Sequence, residues 1–393
     1  MKKENKQELN EQKEQEPDIV CMTGSIKIFR LYGVFPPKGK LLNTGKLFYF
    51  KFIITALVSS ITLDGSLLHL IKNIKDLSFN HTELDFTYIV SMSAGYGLLY
   101  SYFFKVNKAV QLYIGLSDFK KFGKPKNFDE TNKKWNKYSI MHYLYLQSIC
   151  IFILLGSNVF KGKSCRDENE KKNIHEVCGL FTYTWLPFNI DFFPVKQLYL
   201  VLQLFGVNYV YMVAGLASWM VVETVEHLAT RIRHVSFLFT QALEQKNLRK
   251  KRQMFNHAVQ YHVFVFGLEE KFNQTFSVFM FTHMVMAAII MGYGVYSFMK
   301  TKNFSTFLVA IGWLIALFMD CRGGQRIQDE CERVRLAIYN TNWLDCDKEM
   351  RRDLLFVLRR CDKSMVVKAA AFGIMDHPTF LAVSIYSINK LNS

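Results

Sequence analysis

Residues 272–299 read FNQTFSVFMFTHMVMAAIIMGYGVYSFM, a run without a single Asp, Glu, Lys or Arg. A helix rises ~1.5 Å per residue, so the run reaches roughly 40 Å, beyond the ~30 Å hydrocarbon core of a bilayer. A soluble helix of that length carries charge on its wet face every turn or two. Four more charge-free runs lie outward from it, at 86–104, 138–160, 197–222 and 303–319. Five such blocks exclude a soluble domain. The chain is a polytopic, all-α membrane protein, although its 393 residues are only 50% hydrophobic, near the globular average.

Two weaker spans complete the set. Residues 48–71 are apolar apart from Lys51 and Asp64, and residues 369–391 are apolar apart from Asp376 and Lys390. Seven spans put the two termini on opposite sides. Residues 1–18 form a Lys/Glu/Gln tract without an apolar stretch, which reads as a disordered tail and not a cleavable signal.

Charge asymmetry sets the orientation. Of 49 Lys and Arg, 36 fall in the N-terminal segment and the second, fourth and sixth connections, against 10 in the alternating connections. The basic side faces the cytosol, so the N-terminus is expected inside and the C-terminus outside, an inverted (N-in) topology. The net charge of +16 then marks membrane topology, and nucleic acid is not expected as a partner. A G-protein-coupled receptor has the opposite orientation. It also ends its third span in an acidic–Arg–aromatic triplet, which does not occur here.

On the outer side, Asn80-His81-Thr82 is a candidate glycosylation sequon. Cys165 and Cys178 share the second outer connection, where they either pair in an oxidising compartment or stay as free thiols. Cys331, Cys346 and Cys361 have no zinc-type spacing. No Gly-rich phosphate loop, His-Glu-x-x-His or Gly-x-Ser-x-Gly element is present, so no catalytic residues, metal or cofactor are expected and an enzyme is improbable. Receptor, channel and transporter remain.

The fourth connection reads helical at 223–245 and 254–272, so spans four and five continue below the membrane. Residues 327–344 and 348–360 (KEMRRDLLFVLRR) are amphipathic, and such half-apolar helices need a partner face. The last span is the least apolar, with Ser384, Ser387, Asn389 and Asn392 along it. Two readings of Asp376 stand together. It is an N-cap ahead of Pro378 in a first helical turn, or it adds a negative charge near the inner mouth of a pore lined by this span.

The C-terminal third resembles the insect odorant receptor family. The carrying residues run from Gly324, Ile327, Glu330, Ala337, Tyr339 and Trp343 through Arg351-Arg352 and Leu354-Leu355 to Ala369, Phe372, Thr379 and Phe380. Leu186-Pro187-Phe188 with Pro194, Tyr199 and Gln203 resembles the family's entry into span four, and Leu268-Glu269 with Phe272 its entry into span five. Cys331 and Asp376 stand where the family commonly has Ser, and Tyr386-Ser387 comes two residues early. The gustatory receptor ending is missing.

This resemblance implies an odorant-gated, non-selective cation channel in the plasma membrane of olfactory neuron dendrites. It further implies a tetramer in which each last span lines the pore, a tuning subunit assembled with a shared co-receptor subunit, and a small volatile apolar ligand. Shared subunits carry a long insertion in the fourth connection, which this chain lacks. The implied organisation is a cytoplasmic segment 1–46, spans one to six with their extensions at 47–322, anchor helices 323–363 and a pore span 364–393. Pore candidates are Asp376, Ser384, Ile388, Asn389 and Asn392.

The family binds its odorant among spans two, three, four and six, towards the outer leaflet. Depth and helical face then select Tyr88, Ile89 and Met92 on span two, and Ile153, Gly156 and Phe160 on span three. Leu202, Phe205 and Tyr209 follow on span four, and Phe307 and Ile311 on span six. Binding there rests on apolar burial, and packing or lipid contact is the competing role for each residue. Occupancy is expected to shift span five against span seven and dilate the pore. A gustatory-type channel, a secondary transporter and a G-protein-coupled receptor are the alternatives.

Overall fold

The computed structural model describes residues 18–41, 44–75, 82–160, 162–172, 176–301 and 304–389. Among them lie eleven α-helices: α1 (Thr23–Leu31), α2 (Lys46–Lys75), α3 (Thr82–Phe103), α4 (Val106–Ser117), α5 (Phe128–Gly156), α6 (Gly162–Lys172), α7 (Val195–Leu243), α8 (Leu248–Thr301), α9 (Phe304–Tyr339), α10 (Lys348–Cys361) and α11 (His377–Asn389). The one sheet-like contact among the described residues is an antiparallel bridge between Lys368 and Ile374. Helices α2, α3, α5, α7, α8, α9 and α11 fall on the seven expected spans, and five of them, all but α3 and α11, are long and apolar enough alone to cross a membrane. The disordered tail expected at 1–18 lies, but for Asp18, outside the described residues.

Two spans differ in extent from the sequence reading. The third stops as an α-helix at Gly156, where Ser157 turns extended and its Oγ donates to the Leu154 carbonyl, leaving Asn158–Phe160 as a 3₁₀ turn. The last begins as a helix at His377, eight residues later than 369. Ala370 at φ +49° and Gly373 at φ +154° hold backbone conformations that an α-helix excludes.

Helices α7 and α8 have 49 and 54 residues, roughly 75 and 80 Å, so both run far past a bilayer before meeting at residues 244–247. Helix α7 is the hub, packing against α2, α3, α5, α8 and α9. Val210, Val213, Ala217, Val221, Val225, Leu228, Ile232 and Val235 recur at three- and four-residue steps along its length and are all buried. Its Gly206 meets α2 backbone to backbone: a Cβ there would sit 2.6 Å from the Ser59 carbonyl oxygen. Small residues of this kind let membrane helices pack where no hydrophobic effect drives them together.

The lower half is fastened by polar groups. Helix α1 docks through Ser25, whose Oγ donates to Glu223 Oε2 at 2.6 Å, while Ser139 Oγ donates to the same oxygen at 3.1 Å. Helix α4 buries Leu112, Tyr113 and Leu116 and packs on α8. Arg231, fully buried, donates from Nη2 to the Leu116 and Asp118 carbonyls at 2.6 and 2.9 Å and lies over the Phe119 ring. Buried Glu330 is ringed by Arg233, Arg326 and Arg333 at 3.8, 3.7 and 3.2 Å. Helix α10 buries Met350, Leu354, Val357 and Cys361 and leaves Leu355 and Phe356 exposed.

Candidate functional site

The expected ligand residues sit in unlike settings. On α3, Met92 is fully buried, while Tyr88 and Ile89 are half-buried. The Tyr88 hydroxyl is enclosed beside Thr62 without a well-formed hydrogen bond, and its ring lies 6.3 Å from that of Phe181. On α7, Tyr209 is buried with its hydroxyl unpartnered, Leu202 is half-buried, and Phe205 is exposed yet stacked on Tyr209 at 6.0 Å.

On and after α5, Ile153 is half-buried against the core, Gly156 closes the helix, and Phe160 is 64% exposed in the turn beyond. On α9, Phe307 stacks on Phe298 of α8 at 4.7 Å and Ile311 is half-buried. Helix α7 touches α3, α5 and α9 alike, so it is the common wall of the four expected spans. Phe205 and Tyr209 are brought into ring contact; Phe160 stands apart.

Next to these residues lies the connection between α5 and α7. Cys165 and Cys178 are disulfide-bonded, which ties α6 to the segment that follows it. Gln203 of α7 then grips that segment. Its Oε1 accepts the Phe181 N–H at 2.8 Å and its Nε2 donates to Thr184 and Thr182 Oγ1 at 2.9 and 3.3 Å. Ser66 Oγ donates to the Tyr183 carbonyl at 3.2 Å, and Tyr183 stacks on His69. His69 Nδ1 lies 2.7 Å from Asp85 Oδ2 and its Nε2 3.7 Å from Glu176, so spans one and two share a buried pair with this connection. Chain pattern alone gave no sign of this polar seam. His69 and Asp85 are separated by a connection, and only the fold brings them together.

At the other end of the bundle, Asp376 is the N-cap of α11: its Oδ1 accepts the Thr379 N–H at 2.9 Å. Helix α11 packs on α8 and α9 and leaves Leu381, Ile385 and Tyr386 exposed. Ser384 is half-buried with its Oγ unpartnered. The side chains of Ile388 and Asn389, and the whole of Asn392 and Asn80, lie outside the described residues.

Below the spans, a small cavity is lined by Ile232, Val235, His262, Phe266, Cys331, Val334, Cys361, Lys363 and Met365. Burial pushes the Cys331 and Cys361 thiols up to about 11 and about 12, so neither is a thiolate at neutral pH. Burial, with Arg360 nearby, pushes His262 down to about 4. The lining is therefore neutral apart from Lys363, a packing feature of the junction between α7, α8, α9 and α10. No group of three or more His, Cys, Asp or Glu suited to a metal occurs among the described residues.

A family model described as 7tm Odorant receptor matches residues 123–384. An odorant receptor coreceptor from Aedes aegypti is 25% identical over 144 residues, covering 34% of this chain and 30% of that protein. The putative odorant receptor 92a of Drosophila melanogaster is 23% identical over 131 residues, covering 33% and 32%. The matched stretch thus spans about a third of the length of these relatives. Among solved structures, the insect olfactory receptor OR5 from Machilis hrabei matches with a TM-score of 0.73 over 94% of this chain and 95% of that one, at 12% identity. The same receptor in complex with eugenol gives 0.72 at 11% identity. At such identity the likeness establishes the fold.

Proposed function

The chain belongs to the 7tm odorant receptor family, a family of receptors, and from that premise we propose that it is the odorant-binding subunit of a hetero-oligomeric, odorant-gated, non-selective cation channel. The observation that carries this reading is the family match, which runs from the approach to the third span into the last. In the proposal the subunit sits in the plasma membrane of an insect olfactory neuron with its N-terminus in the cytosol, as the concentration of Lys and Arg in alternate connections supports. In the proposal its partner is a shared co-receptor subunit, and the two kinds of subunit together make a tetramer. Helices α7 and α8 are joined by residues 244–247 alone, which supports a tuning role, because the shared subunits carry their long insertion in this connection.

The ligand is a small volatile apolar molecule held beside α7 towards the outer end of the bundle. The buried hydroxyls of Tyr88, beside Thr62, and of Tyr209 each offer such a molecule one hydrogen bond. Helix α11 contributes to the pore. Asp376 holds the start of that helix as its cap, and a second, electrostatic role in the cation path is part of the proposal.

Co-expression with an insect co-receptor subunit in cells without G-protein signalling tests the reading: odorant-evoked current is expected. Current in no member of a broad odorant panel, with both subunits at the surface, overturns it. Tyr209→Phe and Tyr88→Phe are expected to shift the half-maximal concentration about tenfold or less for oxygen-bearing odorants, the worth of about one hydrogen bond, and leave hydrocarbons unchanged. Asp376→Asn keeps a cap, so a fall in divalent-cation permeability in that variant reports charge alone, and unchanged permeability removes the electrostatic role.

A further inference from the structure

The approach to α11 runs as a strap along one face of α8. Glu269, Asn273, Ser277 and Phe281 follow at four-residue steps, which stacks them on one side of the helix. Each holds a successive piece of the strap. Glu269 Oε1 accepts the Val366 N–H at 3.2 Å, Asn273 Nδ2 donates to the Val366 carbonyl at 2.9 Å, and Asn273 Oδ1 accepts the Lys368 N–H at 2.9 Å. The Ser277 carbonyl accepts the Ala370 N–H at 3.0 Å, and Phe281 stacks on Phe372 with ring centres 4.4 Å apart and planes at 15°. Four positions of one helix are thus matched to residues 366–372 in order.

The strap is closed on itself and wedged from behind. The Met375 N–H bonds the Val367 carbonyl at 2.8 Å and the Ala369 N–H bonds the Gly373 carbonyl at 2.9 Å, so residues 367–375 form a tight loop. Gly324 of α9 leaves room for no side chain against the Met375 carbonyl. Asp376 then caps α11 at the next residue. A continuous chain of short, directional contacts therefore joins α8 to the first turn of α11.

We propose that α8 carries the N-terminal end of α11 as one body, with Asn273 as the positioning residue that fixes the strap's register. This rests on the channel reading above and sharpens it. A movement of span five on odorant binding is passed to the pore helix through the strap, and sliding of span five against span seven is confined to the far end of α11. Asn273 suits the task because its amide both donates and accepts, and Nδ2 and Oδ1 bond backbone groups two residues apart on one segment while Nδ2 also reaches Glu269 Oε1 at 3.3 Å. Slippage by one helical step would leave Val366, Lys368 and Ala370 without their partners together, so the register has discrete positions and no soft intermediate.

The test uses the full chain co-expressed with an insect co-receptor subunit, with current read per receptor at the surface. Asn273→Ala is expected to lower odorant-evoked current at least fivefold at matched surface level. In the Asn273→Cys, Lys368→Cys double variant, current is expected to be equally low under reducing conditions and to recover at least threefold when a membrane-permeant oxidant forms the tether. Two results overturn the proposal: wild-type current in Asn273→Ala, or loss of current when the tether forms. If Asn273→Ala fails to reach the surface, the oxidised and reduced states of the double variant carry the same test. Absence of current from the unaltered chain strikes the channel reading itself, and is distinguished by that control.

Discussion

Helices α5 and α7 are almost equally apolar, yet 6% of the membrane-length window of α5 is buried against 56% of that of α7. The difference lies in side-chain size and in partners. Helix α7 places Gly206, Ala214, Gly215 and Ala217 inward, so neighbouring backbones close on it, and Gln203 near its N-terminal end finds three partners. Helix α5 leaves Ile151, Phe152 and Leu155 exposed, apolar side chains for which lipid tails are a suitable solvent. Lipid is as apolar as leucine, so hydropathy selects the spans while small and polar residues choose the neighbours.

Four measurements break or sharpen this contrast. The largest effect is expected for Gly206→Leu, whose Cβ would press against the Ser59 carbonyl. Backbone cannot yield as a side chain does, and surface receptor counted through an epitope should fall to background. Phe152→Ala on α5 should leave that count within about twofold, since exposed substitutions cost ~0.5 kcal/mol or less.

A second effect is expected on α8, whose window is 39% buried, between the two extremes. His262, beyond the apolar run of that helix, stays neutral down to about 4 because it is buried. The unfolded chain takes up the proton near 6.5, so between these values the unfolded state binds more protons. Stability should be full above pH 6.5 and fall by up to about 3 kcal/mol as pH drops to 4. Thermal unfolding of detergent-solubilised protein at several pH values measures this, and His262→Gln should flatten that part of the profile. An unchanged slope in the variant would show that other groups carry it.

Next in size, Leu216→Ala on α7, where the side chain is wholly buried, should cost about 2 kcal/mol through the cavity it leaves. Leu155→Ala on α5 should cost no more than ~0.5 kcal/mol in the same melting assay. Smallest is Gln203→Leu, expected to cost about 1 kcal/mol by releasing the Phe181 N–H and two threonine hydroxyls. Its readout is faster proteolysis in the connection between α5 and α7. Ser148→Ala, which removes only a bond back to the Tyr145 carbonyl of its own helix, is the matched control and should change nothing.

Charge-free runs made the spans legible because burial in lipid forbids unpaired charge over some twenty residues, and the extensions of α7 and α8 were legible from unbroken helical periodicity. Helices α1 and α4 were not, since short amphipathic pieces inside basic connections look like solvated linker until Glu223 and Arg231 are seen beneath them. The start of the last helix was marked all along by Asp376 and Pro378, an N-cap and a first-turn proline. The apolar run 369–375 ahead of them obscured it. Among the ligand candidates, depth chose Met92 and Tyr209 inside the bundle and Phe160 and Phe205 on its surface, because depth along a helix says nothing about rotation around it. The seam of His69, Asp85 and Glu176 joins three separate stretches and has no one-dimensional signature.

The unbroken length of α7 and α8 has a practical use. Two stiff rods roughly 75–80 Å long, joined at residues 244–247, turn a tilt of a few degrees at one end into a sweep of ~4 Å at the other. A dye grafted at that hairpin tip would act as an optical pointer, reporting what happens among the spans from the far end of the rods.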